Sequence, residues 1–116
     1  MNLSNQTCKP PKTGDTPFSP SQAEDMRGEV PNWSLKDAAI TREFQFKDFR
    51  EAMVFVNTVA DVAEGQGHHP DIFISYKIVR LTLTTHKIGG LSQNDFIMAA
   101  KIDRLLASPQ FNKVNR

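Results

Sequence analysis

The chain has 116 residues, 39% hydrophobic and 23% charged, with a formal net charge of +1. That length is one domain with its own core, and the near-neutral balance excludes a general pull towards nucleic acid or an anionic membrane. A single cysteine, Cys8, excludes an internal disulfide and suits a reducing, cytoplasmic compartment; no apolar run approaches membrane-spanning length, and the first 20 residues lack the apolar core of a secretory signal.

Residues 1–20 hold four prolines and only Leu3 and Phe18 as large apolar side chains. They are expected to form a tail or strap lying over a single domain at 21–116. A short helix is expected from Ser19 or Ser21 to about Glu29, before Pro31. Ile40, Phe44 and Phe46 then alternate with polar residues, the pattern of a half-buried strand whose hairpin partner, Trp33 to Lys36, returns around Asp37. Arg42 falls on the apolar parity and is expected to pack its stem while its head reaches water.

The period changes after Phe46. Phe49, Ala52, Met53, Val56, Val59, Ala60 and Ala63 recur at three and four residues, predicting an amphipathic helix from about Lys47 to Glu64, stopped by Gly65 and Gly67. Beyond Pro70, the β-branched and aromatic run from Asp71 to His86 switches parity near Lys77, which implies a bulge or bend between two strands. Ser92 and Asp95 have capping-box spacing at the start of a last helix, whose buried stripe is Met98, Ala99, Ile102, Leu105 and Leu106 and which ends near Pro109. The predicted fold is α+β, a four-stranded antiparallel sheet with about three helices on one face.

All three histidines of the chain fall in or beside loops, two of them adjacent in "EGQGHHP" at 64–70. With Glu64, Tyr76 and Asp95 they form the one dense cluster of chemical groups. Each carboxylate has a bland explanation, Glu64 as a solvated helix end and Asp95 as a cap, but Asp95 shares the helix face of Ala99, Ile102 and Leu106 and so faces inward. A zinc site is not expected: Pro70 holds His69 extended, neighbouring side chains then splay apart, and no cysteine ligand or i, i+4 histidine pair is present. Splayed histidines suit general acid–base chemistry at two points of one substrate, as in adding or eliminating water.

The run Glu64, three residues, His68-His69-Pro70, five residues, Tyr76, nine residues, His86, eight residues, Asp95 resembles the signature of the pterin-4a-carbinolamine dehydratases. Trp33, "ITREFQFKDFREA" at 40–52, "VADVAE" at 59–64, "GGLSQND" at 89–95 and "AAKID" at 99–103 look like the same family, over about residues 31–106. More weakly, "LSNQTC" and "FSPSQ" resemble the N-terminal strap of its microbial members. The resemblance implies conversion of 4a-hydroxytetrahydrobiopterin to quinonoid dihydropterin and water, serving tetrahydropterin recycling beside an aromatic amino acid hydroxylase, with neither metal nor organic cofactor. It implies His68 and His86 as acid and base, His69 binding the pterin, and Glu64, Pro70, Tyr76 and Asp95 orienting the site. It further implies a homodimer or homotetramer. The alternative from the same family is a non-catalytic interaction module, a dimerisation or assembly partner.

Overall fold

A computed structural model describes residues 2–109 and Phe111. The elements run α1 (Pro20–Arg27), β1 (Ser34–Lys36), β2 (Ala39–Gln45), α2 (Phe49–Gln66), β3 (Asp71–Ser75), β4 (Ile78–Leu83) and α3 (Gln93–Leu105), with single 3-10 turns at Leu3–Asn5 and His86–Ile88. The four strands are antiparallel in the order β1-β2-β4-β3. The expected α+β architecture is therefore the one found.

Strand parity explains which face is covered. Ile40, Phe44, Val79, Leu81 and Leu83 are at most 1% exposed, and the register pairs Ile40 with Leu83 and Phe44 with Val79 on one face. Glu43, Gln45 and Arg80, on the opposite parity, are exposed. The buried face meets α2 and α3 through an aromatic cluster in which the Phe55 ring lies 4.9 Å from Phe44 and 4.8 Å from Phe46. Among the described residues no helix is long and apolar enough to cross a membrane.

Several details differ from the sequence reading. Gly65 does not stop α2, because glycine only weakens a helix, by about 1 kcal/mol; the stop is Gly67, whose φ of +66° ends the helix in the left-handed conformation that glycine adopts without strain. Phe49, expected on the apolar stripe, is 51% exposed at the first helical position, and Phe55 fills the core instead. The parity switch near Lys77 is neither bulge nor bend: Ser75 pairs with Ile78, so β3 and β4 form a hairpin turning through Tyr76 and Lys77, with Tyr76 at φ +53°. Leu105 is half-buried rather than part of the closed stripe.

The Arg42 head is paired inside the fold and not left free in water. Its Nη1 lies 2.6 Å from Asp103 Oδ1, which also accepts the Trp33 Nε1–H at 2.8 Å, tying β2 to α3. Burial holds the Asp103 carboxyl above its usual range, against the opposing pull of the Trp33 N–H and Arg42.

Residues 3–9 run along α3. Leu3 is 3% and Cys8 8% exposed. Lys101 Nζ donates to the Ser4 carbonyl at 3.0 Å, and Asn94 brackets Lys9, accepting from its N–H at 2.9 Å and donating to its carbonyl at 2.7 Å. This cover explains why Asn94 and Ile97 are buried although they lie off the predicted stripe.

Candidate functional site

The exit of α2 sorts the two adjacent histidines. The N–H groups of Gly67 and His68 both reach the Ala63 carbonyl, at 2.9 and 3.3 Å, so the chain turns sharply at the helix end. His68 then points inward, 9% exposed, and His69 outward. This is the splay expected of neighbours on either side of an extended link into Pro70 and β3.

Each histidine meets a carboxylate through the same ring atom. His68 Nε2 is 2.6 Å from Asp95 Oδ1, an internal contact with the Asp95 side chain fully buried. His69 Nε2 is 2.5 Å from Glu64 Oε2, but both side chains are more than half exposed. Exposed pairs of that kind contribute about 0–1 kcal/mol. The buried one constrains more, because breaking it strands a polar group away from water.

Asp95 stands at the third position of α3 and serves two structures at once. Its Oδ2 accepts the Ser92 backbone N–H at 2.9 Å, the return half of a capping box, and the Thr85 hydroxyl at 2.8 Å. Its Oδ1 faces His68. A carboxylate only accepts, so the His68 Nε2–H is the donor, and in a neutral ring the bare nitrogen is then Nδ1.

His86 immediately follows Thr85, opens the 3-10 turn and is exposed. It borders a groove of about 650 Å³ with Thr41, Arg80, Thr82 and Thr84 from the sheet and Asp37 and Gly89 from adjacent turns. Thus Thr85 faces the buried pair while its chain neighbour faces the groove. Tyr76 is placed elsewhere: it is 64% exposed at the far end of the β3–β4 hairpin, five residues along an extended strand from Asp71, roughly 16 Å. Pro70 is half-buried at the entry to β3.

Four contributors were not among the predicted site residues. Thr85 carries the signal that would have found it, since it continues the buried parity of Val79, Leu81 and Leu83 with a hydroxyl in place of a hydrocarbon. Ser92 stands out in the sequence only as a helix cap. Gln66 and Asn94 hold residues 8 and 9: the Cys8 N–H donates to Gln66 Oε1 at 2.9 Å, and the Asn94 bracket takes Lys9. Residues 8 and 9 therefore join the end of α2, which His68 follows, to the start of α3, which carries Asp95. Burial pushes the Cys8 thiol up to about 11, with Lys101 pulling it down and Asp95 adding a smaller push upward. Among the described residues no three His, Cys, Asp or Glu side chains converge as a metal would require.

Residues 16–105 match the family described as pterin 4 alpha carbinolamine dehydratase. A protein of Halorhodospira halophila, provisionally named pterin-4-alpha-carbinolamine dehydratase, is 48% identical over 107 residues, covering 90% of this chain and 98% of its own. One of Methylococcus capsulatus with the same provisional name is 45% identical, covering 91% and 95%. The fold is similar to the crystal structure of a transcriptional coactivator/pterin dehydratase from Brucella melitensis, with TM-score 0.74, 35% identity and coverage of 78% and 98%. It is similar also to a pterin dehydratase-like protein identified as a RuBisCO assembly factor in the alpha-carboxysome, with TM-score 0.54, 25% identity and coverage of 66% and 88%. The family match over residues 16–105 and the identity to these relatives over most of both chains agree: this chain belongs to the pterin-4-alpha-carbinolamine dehydratase family of hydro-lyases.

Proposed function

We propose that the chain dehydrates a pterin-4a-carbinolamine, 4a-hydroxytetrahydrobiopterin or a close relative, to quinonoid dihydropterin and water. The observation that supports this reading is the buried 2.6 Å contact of His68 with Asp95, in a chain of this family; in this reading the other ring nitrogen exchanges the proton. The C4a–O bond breaks as the hydroxyl takes a proton and leaves as water. The proton on the adjacent ring nitrogen passes to a base as the C4a=N bond forms. His68 and His86 act as the acid–base pair, and His69, held by Glu64 and by the extended link into Pro70, orients the pterin. The groove beside His86, about 650 Å³, has the size of small-molecule sites. The reaction so written uses no metal or organic cofactor.

In this reading the enzyme works in the cytoplasm as a homodimer or homotetramer and recycles tetrahydropterin behind an aromatic amino acid hydroxylase. The exposed edge strand β3, with Ile72 39% and Phe73 48% exposed, supports assembly, and light scattering measures it. The test of the reaction generates 4a-hydroxytetrahydropterin with a hydroxylase and follows quinonoid dihydropterin by absorbance. Wild type accelerates the step, and His68→Ala and His86→Ala each lose about 10²–10⁴-fold, the usual scale of acid–base assistance. A folded wild-type protein without effect overturns the reading. The second reading, a non-catalytic interaction module, would then take its place; it is favoured by the two structural relatives, one a transcriptional coactivator/pterin dehydratase and one a RuBisCO assembly factor.

A further inference from the structure

Asp95 holds His68, and something must hold Asp95. Its carboxylate is fully buried and accepts three donors: His68 Nε2–H on one oxygen, and the Ser92 N–H and Thr85 hydroxyl on the other. Thr85 is itself 3% exposed. Its main chain is pinned on both sides, with its N–H donating to the Gly90 carbonyl at 3.0 Å and its own carbonyl accepting from Ile88 at 3.1 Å. Its Oγ1 also lies 2.7 Å from Ser92 Oγ.

A hydroxyl has one proton, and a carboxylate offers none. The Thr85 proton must therefore go to Asp95, and the Ser92 hydroxyl must supply the proton shared with Thr85 Oγ1. Donation thus runs from Ser92 to Thr85 to Asp95 on one side, and His68 Nε2–H donates to the same carboxylate from the other. Valine has nearly the same shape as threonine and would suit the buried parity of β4, so filling space does not require the hydroxyl. Helix capping does not require it either, since the Ser92 N–H already meets Asp95.

We propose that Thr85 is a positioning residue. Its hydroxyl fixes the rotation of the Asp95 carboxylate so that Oδ1 meets His68 Nε2, and through this it keeps His68 in the tautomer whose Nδ1 exchanges the proton. The inference about activity rests on the acid–base reading above, whereas the inference about the ring stands on the geometry alone. His86, one residue on, occupies the groove wall, so the same short segment supplies the support of one histidine and the whole of another.

The experiment uses the full chain with Thr85→Val, Thr85→Ala and Thr85→Ser. Thermal unfolding checks the fold, ¹⁵N–¹H spectra of the imidazole rings report the His68 tautomer, and the dehydration assay separates kcat from KM. Expected for Thr85→Val and Thr85→Ala is a mixture of His68 tautomers in a folded protein, with kcat lowered about 10- to 100-fold and KM unchanged, the scale seen when a supporting hydrogen bond is removed. Thr85→Ser restores the wild-type ring signal and rate. A wild-type ring spectrum and kcat in a folded Thr85→Val or Thr85→Ala protein would overturn the proposal, as would a Thr85→Ser protein no better than Thr85→Val. If wild type has no dehydratase activity, the reaction reading fails, and the ring spectra alone still decide whether Thr85 positions His68.

Discussion

His68 and His69 are chain neighbours with the same kind of partner at nearly the same distance, yet one pair is enclosed and the other faces water. Water weakens and screens the outer pair, while the inner pair has no substitute for its partner. Replacing each carboxylate by its amide should therefore give unequal results. Glu64→Gln is expected to cost under about 1 kcal/mol in urea unfolding. Asp95→Asn replaces one acceptor oxygen with an NH₂ facing groups that themselves donate, and it is expected to lower the dehydration rate by about 10²-fold or more while also weakening the start of α3. Equal effects of the two substitutions would contradict the assignment of His68 as the constrained residue.

At the scale of elements, the clip from Trp33 and Arg42 to Asp103 joins the sheet to α3. Trp33→Phe keeps the ring packing against Phe44 and removes only the N–H. The sign with pH follows from Asp103, whose carboxyl lies above its usual range in the fold, so its ionisation as pH rises costs stability. The Trp33 N–H reduces that cost. Its removal should destabilise by about 1.5–3 kcal/mol where Asp103 is charged, and by less as the pH falls and the carboxyl takes a proton. Urea unfolding of both proteins at several acidic and neutral pH values measures the difference. Arg42 also marks what periodicity reads and what it does not. Alternation along β2 and β4 and the three-and-four spacing of α2 were legible, because they are properties of neighbouring residues. The partner of Arg42 is 61 residues away, and nothing in a local pattern names it. The same holds within the site: the motif spacing brought out Glu64, the histidines and Asp95, but the pairing of His68 with Asp95 spans 27 residues and appears only in the fold. Tyr76 belongs to the same spaced pattern, and the hairpin carries it to the opposite end of the sheet.

Over the whole molecule, residues 3–9 and α3 are distant in sequence and joined in space. The Asn94 bracket on Lys9, the Gln66 contact to Cys8 and the buried Leu3 make the opening segment part of the packing around α3. Cys8 reports on that contact. Its thiol, pushed up to about 11 by burial, is protonated at neutral pH and should react slowly with a thiol reagent in the native protein. Asn94→Ala removes two hydrogen bonds, worth about 1–3 kcal/mol together, and local opening of the segment should then speed labelling by roughly 5- to 100-fold. Unchanged labelling would mean that the bracket does not hold the segment down.

The distance along the chain also has a temporal side. Cys8 and Lys9 leave the ribosome before the Asn94 that will receive them, 85 residues later in the case of Lys9. At about 5–20 residues per second, the interval is roughly 4–17 s. During synthesis Leu3 and Cys8 have no surface to cover, and Cys8 is an ordinary accessible thiol. The contact thus joins an earlier-made and a later-made part of the chain, and it brings Gln66 and Asn94 under one strap. A nascent chain halted before α3 would carry His68 already synthesised, but with neither Asp95 to hold it nor Asn94 to hold the strap.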